Sequence, residues 1–455
     1  MSEISLQTRY RPYPAYRDSG VEWLGEVPEG WEVGRLKRTV ADAQNGSWGE
    51  ESESDEDPIC VRVADFNRES FTVIPDPGTR RHYSLAEFEK RRLSPGDLLL
   101  EKSGGGEKQP VGAVVIFEGC DPAICSNFVA RIRSADGYSA RFLAYLHASL
   151  YSQRLNVPAI KQNTGIQNLD QDAYLNTSVP LPPLPEQRAI AAFLDRETAK
   201  IDTLIAKKER LLELLDEKRT ALISQTVTKG LDPDAPMKDS GVEWLGEVPD
   251  GWEVKRIRFA ARMESGHTPD RKVKDYWEGG MIPWVSLADT GFLRKHDYIT
   301  ETAHKITELG LANSSARLLP PGTVVFSRDA TIGCTGITVG EMAVSQHFIG
   351  WVCGPELENK YLLSVFAAMT EELESLTTGA TLRTIGMPEV NQLVTPVPSV
   401  QEQKEINDFL DHETIKIDAL KSKIQYAIDL LKEYRTALIS AAVTGKIDVR
   451  DEVAA

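Results

Sequence analysis

Two cations occupy matched places in this sequence: Lys102 follows Leu98-Leu99-Leu100-Glu101, and Arg328 follows Val324-Val325-Phe326-Ser327. Both read as positive charges at the end of an apolar strand. Gln167 and Arg383 form a second matched pair, one repeat length apart (383 − 167 = 216), and Lys108 lies just beyond Lys102. Polar side chains repeated beside a shared strand end are candidates for ligand contact, which singles out Lys102, Lys108, Gln167, Arg328 and Arg383. Catalytic patterns are scarcer. Gly104-Gly105-Gly106 lacks the Gly-Lys-Ser/Thr that would make it a phosphate loop. No Asn/Asp-Pro-Pro-aromatic tetrapeptide of a methyltransferase occurs, and no nuclease centre is read in the chain. His296 and His304, the nearest pair among seven histidines, suit ordinary surface or core use better than a metal. The sequence is read as that of a protein with no active site and no cofactor of its own.

The elements that must position those side chains are two long helices, and they are copies of one another. Glu186-Gln187, Phe193-Leu194-Asp195, Lys200-Ile201-Asp202 and Arg219-Thr220-Ala221-Leu222-Ile223-Ser224 return at a constant offset (435 − 219 = 216) as Glu402-Gln403, Phe409-Leu410-Asp411, Lys416-Ile417-Asp418 and Arg435-Thr436-Ala437-Leu438-Ile439-Ser440. In the second copy Leu410, Ile417, Ile424, Leu431 and Leu438 recur at sevenfold spacing, each of several preceded by four residues by Ile406, Leu420, Ala427 or Tyr434. That is a coiled-coil seam. The first copy offers Leu194, Ile201, Leu215 and Leu222 on the same seam, with Lys208 interrupting. At about 1.5 Å per residue each pattern predicts a rod of roughly 65 Å, which must bury its stripe, and two matched rods most simply pair with each other. Pro185 and Glu186 suit a helix start; Gly230 and Gly445 suit the two ends.

A second repeat precedes each half. Asp18-Ser19-Gly20-Val21-Glu22-Trp23-Leu24-Gly25-Glu26-Val27-Pro28 returns unchanged as Asp239 to Pro249 (239 − 18 = 221). The chain is a tandem duplication whose borders are kept while its interiors have diverged, the mark of a pseudo-symmetric molecule. Each interior reads as short strands and turns followed by a helical patch, an α+β pattern: Val61-Arg62-Val63-Ala64-Asp65 and Ile282-Pro283-Trp284-Val285-Ser286 as early strands, then the strands ending at Lys102 and Arg328. Proline-rich exits at 179–185 and 396–398 lead stiffly into the rods.

At 455 residues the chain suits two globular units plus helices. No apolar run spans a membrane and no signal peptide is read; five cysteines without a Cys-x-x-Cys pair fit a reducing cytoplasm. The net charge of −16 opposes binding to a polyanion overall, but much of the acid sits in one run, Glu50 to Asp57, expected to be a solvated loop.

The repeated Asp-Ser-Gly-Val-Glu-Trp-Leu-Gly-Glu-Val-Pro, the exit Val179-Pro180-Leu181-Pro182-Pro183-Leu184-Pro185-Glu186-Gln187 and the phrase Thr-Ala-Leu-Ile-Ser at 220 and 436 resemble the specificity subunit of type I restriction-modification systems. Gly266-His267-Thr268-Pro269, followed by Tyr276-Trp277 and Ile282-Pro283-Trp284-Val285, is similar to the usual opening of a target-recognition domain, with His267 standing where glycine is expected. The first half has Asn45-Gly46-Ser47-Trp48 at that opening. The resemblance implies two pseudo-symmetric recognition domains, 1–183 and 232–399, separated by a central helix, 184–231, and a C-terminal helix, 400–455, that form an antiparallel coiled coil. It implies a non-catalytic reader of an asymmetric, two-part duplex DNA sequence, with the five polar residues above as DNA contacts. Leu194, Ile201, Leu215, Leu222, Leu410, Ile417, Ile424, Leu431 and Leu438 would hold the helices together. Two methyltransferase subunits would dock on the frame and bring S-adenosylmethionine; restriction subunits would join through them, with ATP and magnesium. The alternative is a coiled-coil adaptor whose domains bind proteins, without DNA specificity.

Overall fold

The computed structural model describes residues 9–119, 121–163, 165–379 and 383–453; Cys120 lies outside them. Two compact units emerge: Met1–Lys208 with Gln425–Ala455, and Glu209–Ile424. Both rods form as continuous helices, Leu184–Lys229 and Val400–Val443, so each unit contains half of each rod. Each rod gives way to a glycine in the left-handed region, Gly230 (φ 73°) and Gly445 (φ 74°), which only a residue without a Cβ adopts at no steric cost.

In unit 1 the central sheet runs Val40–Asn45, Val129–Ser134, Leu98–Glu101, Val114–Ile116, with short strands Thr72–Val73 and Phe66–Asn67 at the far edge. The first three joints are antiparallel and the fourth, Ile116 to Thr72, is parallel. Unit 2 repeats the order with Ala261–Ser265, Phe348–Cys353, Val324–Ser327, Thr335–Thr338 and Tyr298–Ile299, its fourth joint again parallel. The longest helix between sheet and rod follows the sheet directly in each unit, Ala140–Ser152 and Asn359–Ala368.

The repeated sequences are what fasten these sheets to the rods. Gln187 is buried; its Oε1 accepts the Ser139 N–H at the start of helix Ala140–Ser152 (2.9 Å), and its Nε2 donates to the Pro182 carbonyl (2.8 Å). Gln403 does the same in unit 2, accepting from Glu358 N–H (2.8 Å) and donating to Pro398 (2.9 Å). A buried amide with both ends satisfied fixes the angle at which helix meets rod. The repeated eleven residues form a small ribbon: Asp18 and Asp239 each accept an N–H from the glycine two residues on, at 2.9 Å. Leu24, Val27 and Trp31, or Leu245, Val248 and Trp252, are thereby buried. The proline-rich exits are strands, Ser178–Leu181 and Val394–Val397, hydrogen-bonded to Glu32–Arg35 and Glu253–Arg256.

Within unit 1 the buried rod residues include Leu194, Ile201, Ile205, Ile428 and Leu438, with Leu431 half-buried; within unit 2 they include Leu215, Ile223, Ile406, Leu410, Ile417 and Ile424, with Leu222 half-buried. Arg435 pairs with Asp202 in unit 1; Arg219 and Lys421 pair with Asp418 and Asp216 in unit 2. Residue numbers rise along one rod as they fall along the other, so the rods run antiparallel. Two expectations fail. Leu420 is exposed, and Ile428, one position beyond the expected Ala427, is buried instead. The early strand of unit 1 is only Ile59–Val61; Val63–Asp65 is a 3-10 turn, because the Asp65 carboxylate reaches back to the Arg62 N–H (2.7 Å) and ends the extended run.

Candidate nucleic-acid interface

In both units the sheet ends at one cluster of loops, and strand pairing aligns the two clusters residue by residue. Asn45 pairs with Ala130 as Ser265 pairs with Ile349. The Lys102 N–H donates to the Phe128 carbonyl (2.8 Å) as the Arg328 N–H donates to that of His347 (2.9 Å). The clusters are therefore equivalent: Asn45-Gly46-Ser47-Trp48 with Ser265-Gly266-His267-Thr268, Lys102 with Arg328, and Ser126-Asn127-Phe128 with Ser345-Gln346-His347. Close backbone packing explains the shared glycines. A Cβ on Gly46 would lie 1.9 Å from the Cys125 carbonyl oxygen, and one on Gly266 would lie 2.2 Å from that of Val344. His267 is held by its backbone alone, N–H to Val344 (3.1 Å) and carbonyl to the Trp284 indole (3.1 Å), which leaves its side chain exposed.

The frame is shared and the chemistry is not. In unit 1 the Lys102 ammonium bonds Asn45 Oδ1 (2.6 Å), Arg91 Nε bonds the Asn45 carbonyl (3.2 Å), and Phe128 is 49% exposed beside the exposed Asn127. Trp48 is exposed as well, with the Arg81 guanidinium 4.2 Å from its ring. Cations flanking exposed rings can grip phosphates and press apolar edges against bases. Unit 2 presents a polar chain: Thr268 Oγ1 donates to Gln346 Oε1, Gln346 Nε2 meets His347 Nε2 (3.3 Å), and His347 Nδ1 meets the buried Asp329 (2.8 Å). Amide and imidazole groups of this kind can donate to and accept from base edges.

The five sequence candidates separate here. Lys102 stands at the unit 1 edge, and Lys108 is exposed in the loop that follows. Arg328 lies at the unit 2 edge, but part of its guanidinium is used on the carbonyls of Gln346 and Ile385, both at 3.3 Å. Arg383 is exposed, its Nη2 3.3 Å from Thr377 Oγ1, and its carbonyl accepts the Ala330 N–H (2.9 Å). Gln167 does not belong with them: it is 7% exposed, and its Oε1 accepts the Val111 N–H at 3.1 Å, so its side chain serves the fold. Sequence reasoning missed Trp48, Asn127, Phe128, Thr268, Gln346 and His347. For Asn127, Phe128, Gln346 and His347 the signal was the repeated Ser-Asn/Gln-aromatic triplet at 126 and 345, lost amid divergent neighbours.

Two further sequence readings change. The spacing Pro249-Asp250-x-x-Glu253-x-Lys255 does match a nuclease pattern. Its lysine, however, is engaged by Glu253 (2.6 Å) and Glu356 (3.0 Å) on the strand paired with the exit, away from the loop cluster. The acidic run is exposed but ordered: Glu50–Glu51 pairs with Arg81–His82, and backbone donation, chiefly from Glu53, holds the Asp57 carboxyl at about 2.

A duplicated α+β module with a variable loop cluster, carried on paired antiparallel rods, defines the class. Residues 28–214 and 249–429 match the family model described as type I restriction modification DNA specificity domain, and the chain belongs to that family. Among curated relatives, the putative type I restriction enzyme MjaX specificity subunit of Methanocaldococcus jannaschii is 22% identical, over 94% of this chain and 96% of that one. The MjaIX specificity subunit of the same organism is 29% identical over 37% of this chain, which aligns with 39% of its length. The EcoR124I/EcoR124II specificity subunit of Escherichia coli is 26% identical over 54% and 56%. A chain from a structural study of assembly in a type I R-M system shares the fold (TM-score 0.68, 19% identity, 92% of this chain and 98% of that one), as does the HsdS subunit of Thermoanaerobacter tengcongensis (TM-score 0.53, 18% identity, 92% and 98%). The chain is a type I specificity subunit, with a role in recognising DNA targets. Among the described residues no helix is long and apolar enough to cross a membrane.

Proposed function

We propose that each unit reads its own short half-site, so that the chain recognises an asymmetric two-part DNA sequence with unread bases between the halves. The observation that carries this is the pair of loop clusters: one backbone frame, with exposed Trp48 and Phe128 beside half-buried Lys102 in one copy, and exposed Gln346 beside half-buried Thr268 and His347 in the other. Identical clusters would read a palindrome; different ones read two different sequences. Recognition domains 1–183 and 232–399, joined by 184–231 and 400–455, are part of this reading. The rods hold the domains and dock two methyltransferase subunits, to which restriction subunits attach. S-adenosylmethionine, ATP and magnesium act on those partners in the cytoplasm, and this chain supplies no catalytic group.

The test is methylation mapping of cellular DNA with the wild-type chain and with Phe128→Ala or Gln346→Ala. The first change is expected to relax one half of the motif and the second to relax the other, each by roughly 1–3 kcal/mol of discrimination. A single uninterrupted motif, or an unaltered motif in both variants, would overturn the reading.

A further inference from the structure

Between rods and helix, the two units share a frame that is filled in one and open in the other. The Ile116 N–H donates to the Phe71 carbonyl (2.8 Å) in unit 1, and the Ile337 N–H donates to the Asp297 carbonyl (2.7 Å) in unit 2. Ile116 pairs with Leu98 as Ile337 pairs with Val324, so Phe71 and Asp297 occupy the same place. Phe71 sits there at φ 58°, a conformation that bulky residues seldom adopt. Its ring stands edge-on to Tyr145 (6.0 Å) with the Arg435 guanidinium 5.0 Å from its centre. Arg435 also grips Asp202 (2.9 and 3.3 Å) and the Glu69 carbonyl, and its side chain is 10% exposed.

Unit 2 keeps the cation and loses both rings. Arg219 corresponds to Arg435, Asp297 to Phe71, and Ser364, on the equivalent helix, to Tyr145. Arg219 is left 3.8 Å from Asp418, its Nε without a hydrogen-bond partner and its side chain 38% exposed. A cleft opens where the rings would be, lined by Arg219, Asp297, Leu363, Ser364 and Asn407. Asn407 is 7% exposed, and its Oδ1 has no hydrogen-bond partner; Ala191 stands at its place in the first rod. A buried acceptor left unpaired is destabilising unless a donor arrives from outside.

We propose that this cleft of unit 2 receives a tryptophan or tyrosine side chain from the methyltransferase subunit that docks on the rods. This rests on the docking reading above. The duplication itself specifies the occupant's chemistry: the same guanidinium in unit 1 lies over a ring, and the extra buried acceptor in unit 2 asks for a ring that carries an N–H or O–H. Both residues combine a flat face with such a donor, and both are common anchors of protein interfaces. The two docking faces are therefore unequal. Unit 1 supplies its own ring, unit 2 borrows one, and the methyltransferase copy on unit 2 binds first and more tightly.

The experiment titrates the full chain with methyltransferase subunit and counts bound copies by native mass spectrometry. Asp297→Phe combined with Ser364→Tyr rebuilds the unit 1 plug in unit 2, and is expected to weaken the tighter site at least tenfold while the other site is unchanged. Asn407→Ala, which installs the residue of the first rod, is expected to weaken the same site without filling it, and it decides the matter if the double variant melts early. Two copies bound with unchanged affinities in well-folded variants would overturn the cleft proposal alone. No copy bound to the wild-type chain would overturn the docking reading and the proposal with it.

Discussion

Unit 1 and unit 2 agree in the brackets, turns and glycines that fasten sheet to rod, and disagree at the loop ends and in the space beside Arg435 and Arg219. Gln187 and Gln403 make the same brackets, Asp18 and Asp239 the same turns, and Gly46 and Gly266 the same close passage under a carbonyl. Phe128 against His347, Trp48 against Thr268 and Phe71 against Asp297 share backbone places but differ in polarity. The lesson is that a rigid frame relieves the side chains at its loop ends from holding the fold, which frees them to differ.

The comparison breaks most visibly if the rods are not equivalent supports. Ile201→Asp in unit 1 and Ile417→Asp in unit 2 place a carboxylate at matched buried positions, both 6% exposed. Each is expected to cost about 3–5 kcal/mol in denaturant unfolding. A loss for one change and none for the other would mean that only one unit relies on its rods.

A second test uses acid. His147 is fully buried against Tyr174, its Nδ1 2.7 Å from the hydroxyl, and burial lowers its pKa to about 4; unit 2 has Phe366 at that place. Unfolding lets this imidazole bind a proton at its ordinary value near 6.5, so between the two values the unfolded chain holds more protons. The stability of unit 1 should therefore fall as pH drops through this window, by about 2 kcal/mol between pH 7 and pH 5, with no matching contribution in unit 2. Denaturant midpoints resolved with a probe in each unit would check this, and equal acid sensitivity in a His147→Phe variant would refute it.

The smallest expected contrast lies in the paired arginines. Arg435→Ala removes a two-pronged grip on Asp202, a bond to the Glu69 carbonyl and a stacked ring, whereas Arg219→Ala removes one loose contact. The losses should be about 2 kcal/mol and less than about 0.5 kcal/mol. Similar values in thermal melts would show that the open cleft of unit 2 leaves Arg219 better held than its distances suggest.

Much of the frame was legible because its signals are periodic or repeated: the sevenfold aliphatics, the glycines past each rod and the identical eleven-residue ribbons all mark local physics. What escaped depends on direction and on partners distant in sequence. Matching Gln167 to Arg383 was sound as an alignment of positions, but one amide is turned onto the Val111 N–H and the other side chain is exposed. Leu420 fits the heptad and still faces outward. The cleft of unit 2 arises from two substitutions, at 297 and 364, whose proximity no local pattern announces.

The glycine that follows each rod sits against the same pair of side chains: Gly445 on Pro28 and Trp31, Gly230 on Pro249 and Trp252. Beyond Gly230 the chain runs directly into the ribbon strand Met237–Asp239. Beyond Gly445 it reaches Asp448, whose N–H bonds the Arg11 carbonyl (2.8 Å), while Tyr16 of the other segment donates to the Gly445 carbonyl (3.0 Å). Unit 1 thus holds by contact what unit 2 holds by covalent succession. A backbone nick between Leu231 and Ala235 should leave unit 2 folded and both fragments associated, because the molecule already contains one such seam that needs no peptide bond.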